Sequence, residues 1–238
     1  MDYEQLVKDQ ELVNKYIRSI GVNRDLDPIY DGVVDPKIYA ETKPRIAWVL
    51  KEPYDDFDEQ GNPCGGGWSM SDIYHATKNV YDNIKGNRTL YSMAYATYGI
   101  LKNTEYRNMP WIYQDPAVAN SLRSVVHMNI SKFPGHTTTY MGNISSYYDL
   151  WRPILLFQLK VYKPQIVIFG NVMPFFYKDL GLEGVLQSDC EKMVDYAMKD
   201  DCLYIDAWHP GRRVDREKYV DGIVNLVREH AQDINLEF

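Results

Sequence analysis

Apolar residues in this chain gather into short runs that end in polar turns, and these runs alternate with stretches of helical spacing. Residues 45–50, 125–130 and 165–169 are near-continuous apolar runs, the pattern of strands buried on both faces. Residues 193–198 and 203–207 predict a further strand or two. Over residues 2–20, Leu6, Val13, Tyr16, Ile17 and Ile20 recur at intervals that predict a helix, with Gly21 as its stop. Further helices are predicted over 69–84, capped by Ser69 or Ser71, over 91–101, over 145–162 and over 215–234. The segment 25–36 holds Asp-Pro twice and reads as a loop, and 55–67 is acidic and then glycine-rich. Strands separated by helices predict an α/β fold, a three-layer αβα sandwich around a mostly parallel sheet. One domain over residues 1–238 is expected, with the helix at 2–20 as an accessory element. The sequence contains no internal repeat and no low-complexity tract.

Composition narrows the function. Hydrophobic residues make up 45% of the 238, enough for a substantial core and unlike a disordered chain. The net charge of −7 argues against broad, non-specific binding to nucleic acid, because such binding draws on Lys and Arg neutralising phosphates. It leaves room for a local basic strip. No apolar run approaches the length of a membrane span, and the opening residues lack a charged-then-apolar leader pattern, so a soluble cytoplasmic protein is expected. The 3 cysteines, Cys64, Cys190 and Cys202, lack C-x-x-C spacing and support neither a disulfide framework nor a four-cysteine metal site.

Two short segments carry the best candidate chemistry. Leu50-Lys51-Glu52-Pro53-Tyr54-Asp55 follows one predicted strand, and Ala207-Trp208-His209-Pro210-Gly211-Arg212-Arg213 follows another. In open α/β sheets, ligands bind outside the carboxyl ends of the strands, so a carboxylate and an imidazole delivered there can face each other across a pocket. Among the histidines, His209 is favoured over His75, His127, His136 and His230: His-Pro at a strand end places its imidazole at the crevice, whereas His75 and His230 fall within predicted helices and His127 within a strand. Asn129 and Lys132 end another strand, and Trp68 follows three glycines that permit close approach to a flat ligand.

This ordered set resembles the motifs of the uracil-DNA glycosylase superfamily. The family's Gly-Gln-Asp-Pro-Tyr-His is matched by Leu50-Lys51-Glu52-Pro53-Tyr54-Asp55, its aromatic in a Phe-Ser context by Trp68-Ser69, its strand-end Asn by Asn129, and its His-Pro-Ser by His209-Pro210-Gly211. The matches keep the family's order and span most of residues 45–213. The departures are Glu52 for Asp, Lys51 for Gln, Asp55 for His, and Gly211-Arg212-Arg213 in place of the apolar wedge.

The resemblance implies an enzyme that flips a base from DNA and hydrolyses its N-glycosidic bond. Glu52 would stabilise the oxocarbenium-like sugar and orient water, and His209 would donate to the departing base. Asn129 would bond the base edge, Trp68 would stack on it, and Tyr54 would crowd the place of a thymine methyl. Lys132, Arg212 and Arg213 are the expected phosphate contacts. No cofactor and no metal are implied; the acidic run at 55–59 reads as a solvated loop. The expected partner is DNA, single-stranded DNA included, or a nucleobase-containing small molecule. Two alternatives stay open: an inactive binding protein with the same pocket, and a hydrolase of free nucleosides or nucleotides.

Overall fold

A computed structural model describes residues 1–21, 26–62, 64–135 and 141–236. These residues form a seven-stranded mixed sheet: β1 (Gly32–Val33), β2 (Ile46–Leu50), β3 (Val125–Asn129), β4 (Ile166–Gly170), β5 (Gln187–Asp189), β6 (Val194–Lys199) and β7 (Cys202–Ala207). The spatial order is β1-β3-β2-β4-β7-β6-β5. The four central strands β3, β2, β4 and β7 run parallel, and the outer strands β1, β6 and β5 are antiparallel to their neighbours. The predicted α/β class with a mostly parallel centre is therefore present. The two edge strands are the shortest of the sheet: β1 has two buried residues, and β5 has three that are mostly exposed.

Helices cover both faces. Alternation along β2 sends Ile46, Trp48 and Leu50 to one side and Ala47 and Val49 to the other. The first side packs against α5 (Arg88–Lys102) and α9 (Arg216–Glu229), which also touch each other. The second packs against α1 (Tyr3–Gly21) and α7 (Met141–Tyr162). The amino-terminal helix thus buries Leu6, Val13 and Ile17 as a wall of the second core, while Tyr16 stays exposed.

The helix predicted over 69–84 is two short helices, α3 (Asp72–His75) and α4 (Val80–Ile84). The break falls where Asn79 caps the second by accepting from the Tyr81 N–H. The loop predicted over 25–36 carries β1 and the start of α2 (Pro36–Glu41), capped by Asp35; its first residue lies outside the described residues. α6 (Pro116–Asn120) and α8 (Tyr177–Leu180) complete the α-helices of the described residues. No helix among them is long and apolar enough to cross a membrane.

β2 and β4 are the inner pair of the parallel strands. The chain from β2 leaves toward β3 through α3 to α6, while the chain from the adjacent β4 leaves toward β7. Neighbouring strands whose connections part in opposite directions open a crevice beyond their carboxyl ends.

Candidate functional site

The exits of β2 and β3 remain paired after the strands end. Ile130 N–H donates to Leu50 C=O, Ser131 N–H to Lys51 C=O and Gly135 N–H to Pro53 C=O, each at 2.9 Å. Glu52 lies across Gly135, where an added Cβ would meet its side chain at 2.3 Å. A side chain at 135 would displace the carboxylate.

Beside this seam is a cavity of about 310 Å³, near the lower end for ligand pockets. Glu52, Tyr54, Trp68, Asn129 and His209 all line it, joined by Lys51, His127, Thr89 and Asn87. Residues from three separate strand ends and one loop thus meet at one place.

His209 sits in the turn after β7, against Gly170 at the end of β4, where a Cβ would come within 3.4 Å of its ring. Gly211 closes that turn under Thr89, whose hydroxyl would meet a Cβ at 2.5 Å. The Gly211 N–H donates to His209 Nδ1 at 3.1 Å. Burial, reinforced by the positive charge of Lys51, pushes the imidazole down to a pKa of about 4. A neutral ring whose Nδ1 accepts must carry its hydrogen on Nε2, so His209 is a fixed neutral donor. The Lys51 ammonium is itself shifted downward by desolvation, opposed by Glu52 and Asp206.

Asn129 and His127 project from the same face of β3, and both are 2% exposed. Asn129 Nδ2 and His127 Nε2 have no hydrogen-bond partner among the described residues. His127 Nδ1 lies 2.7 Å from the Tyr74 hydroxyl. Burial, with smaller contributions from Lys132 and His209, drives the His127 pKa to about 3, so this ring is also neutral.

Trp68 is held by Asp55, whose Oδ2 accepts from the Trp68 indole N–H at 2.6 Å and from the Gly66 N–H at 2.7 Å. Gly66 adopts φ +113, and a Cβ there would strike the Asp27 carbonyl at 2.0 Å. The acidic run is accordingly a self-bonded loop, with Asp58 accepting from the Gln60 and Asn62 amides. Tyr54 borders the cavity with 61% of its surface exposed, which puts it at the mouth rather than against the floor.

Lys132 requires a correction. It is fully buried, and its Nζ donates to both Asp31 carboxylate oxygens at 2.7 Å, to the Asn129 carbonyl at 2.8 Å and to Gln158 Oε1 at 3.2 Å. A sealed, fully bonded ammonium cannot reach a phosphate. It serves Asn129 instead: Asp31 Oδ2 accepts from the Asn129 N–H at 2.6 Å while Lys132 holds its carbonyl. Arg212 and Arg213 are exposed on the His209 turn but do not line the cavity, and the Arg212 guanidinium lies 3.5 Å over the Trp208 ring.

His127, set aside by its position inside a strand, is the residue that sequence reasoning missed. The available signal was its spacing of two from Asn129, which puts both on one face. His136 falls outside the described residues. No protein-family model matches the chain, and no curated protein matches it.

Proposed function

We propose that this protein is an N-glycosidic hydrolase that removes uracil or a related damaged base from DNA, on a uracil-DNA glycosylase-like three-layer fold. The observation that carries the reading is the convergence of Glu52, Tyr54, Trp68, Asn129 and His209 on one small cavity at the carboxyl ends of the parallel strands. The flipped base enters past Tyr54 and lies against Trp68, with the Asn129 amide on its polar edge. As the bond to the sugar breaks, the base oxygen gathers negative charge and meets the Nε2–H of His209. A neutral donor suits this role, since it stabilises the anion without surrendering its proton. Glu52 faces the sugar, where its carboxylate stabilises the cation, directs water to the anomeric carbon and takes the proton that water releases, while the base departs as an anion and is protonated by solvent. Arg212 and Arg213 take the flanking phosphates.

The test is base release from a uracil-containing single-stranded oligonucleotide, read by alkaline strand cleavage. Release that Glu52→Ala abolishes is expected; release undiminished in both Glu52→Ala and His209→Ala would discard the assigned roles.

One observation favours a second reading, a hydrolase of free nucleosides or nucleotides. Burial of Lys132 removes an expected phosphate contact from a chain whose net charge is already −7. Free base formed from mononucleotides but not from oligonucleotides would select it.

A further inference from the structure

The polar floor of the cavity contains one more group than the proposed chemistry uses. His127 and Asn129 stand about 6.6 Å apart along β3 by the rise of a strand, on the face that lines the cavity. Each has a buried nitrogen without a partner among the described residues, Nε2 and Nδ2 respectively. Buried polar atoms left unpaired are uncommon in folded proteins, and two in one cavity mark where a ligand's polar atoms belong.

The hydrogen-bonding sense of His127 follows from its other nitrogen. Nδ1 shares one hydrogen with the hydroxyl of Tyr74, itself fully buried. Were the ring to donate, the tyrosine's own hydrogen would need a second buried acceptor. With the hydroxyl donating, both groups are satisfied and the ring hydrogen resides on Nε2. His209 reaches the same state through the Gly211 N–H.

We propose that His127, fixed as a donor by Tyr74, is a specificity-determining residue: with Asn129 and His209 it makes a donor array that accepts heterocycles bearing carbonyl oxygens and rejects those bearing amino groups. This rests on the base-pocket reading above and adds the residue that fixes which base the pocket takes. An exocyclic amine opposite a fixed N–H leaves two buried donors facing each other. Each such mismatch costs about 1–3 kcal/mol, or roughly 5- to 150-fold in affinity.

Two measurements decide the matter without any base release. Long-range ¹⁵N–¹H correlation of histidine-labelled protein at pH 7 is expected to find the His127 hydrogen on Nε2; a hydrogen on Nδ1 would overturn the proposal. Titration with free uracil and free cytosine is expected to show at least about tenfold tighter binding of uracil by the unaltered protein. Tyr74→Phe, which frees the tautomer while keeping the ring, is expected to shrink that preference several-fold, and His127→Phe to remove most of it. An unchanged preference in Tyr74→Phe and in a folded His127→Phe overturns the role of His127, even if the protein releases base from DNA. Absent binding of both bases at millimolar concentration overturns it as well. Conversely, His127-dependent preference with no base release from any substrate would sustain this inference and end the hydrolase reading.

Discussion

β3 and its exit carry two polar clusters within a few residues of each other, and they differ in one respect. Around Lys132, Asp31 and Gln158, the ammonium and carboxylate are bonded several times over: Asp31 alone accepts from Lys132, Gln158 and the backbone N–H of Asn129. Around His127 and the Asn129 side chain, two buried nitrogens are unmet. Both clusters consist of the residue types that would draw notice in any sequence. Only the unmet one faces a cavity, and the saturated one fixes the backbone from which it projects. Charge and burial together do not mark a functional group; unspent hydrogen-bonding capacity facing a space does.

That contrast can be broken most sharply at Lys132. Lys132→Met strands the Asp31 carboxylate in the core, and a loss of about 3–5 kcal/mol in denaturant unfolding is expected. A loss below about 1 kcal/mol would mean the cluster is not the clamp described. Next in size is His209→Ala, which is expected to lower base release by about 10²–10³-fold, the usual worth of an oxyanion donor, in single-turnover assays.

Acid comes third. Folded His127 and His209 have pKa values of about 3 and about 4, against 6.5 for the free side chain. Below pH 6.5 the unfolded chain takes up protons that the folded chain refuses, so stability falls as pH drops from 6.5 toward 4. Each histidine contributes up to about 1.4 kcal/mol per pH unit. Urea unfolding at pH 7 and pH 5 reads the slope, and His127→Phe should flatten it.

Asn129→Leu sharpens the comparison from the other side. It removes an unmet group, so stability should move by less than about 1 kcal/mol while uracil affinity falls about 5- to 150-fold. The smallest effect is expected of Arg212→Ala, about 0.5–1 kcal/mol from its exposed contact with Trp208.

The parallel core was legible because β2, β3, β4 and β7 are apolar runs bounded by turns, and burial on both faces demands such runs. β1 and β5 were not: two and three residues give no periodicity, and their pairing is set by neighbours remote in sequence. At the site, strand-end position brought Glu52, Asn129 and His209 to one cavity, since the ends of parallel strands share an edge. Lys132 was misread because residue type carries no record of burial, and its partner Asp31 lies 101 residues away. The sense of His127 was hidden for the same reason, being set by Tyr74 on a different element.

The bond from Asp55 to the Trp68 indole gives the cavity a built-in ruler. Glu52 and Asp55 are separated by two residues of one chain segment, so the reach from carboxylate to aromatic wall is a matter of covalent length plus a single hydrogen bond. Thermal breathing of the loop that bears Trp68 would carry wall and carboxylate together, as two jaws cut from one plate. Asp55→Ala would cut that tie and leave the Trp68 wall to move independently of the segment that carries Glu52.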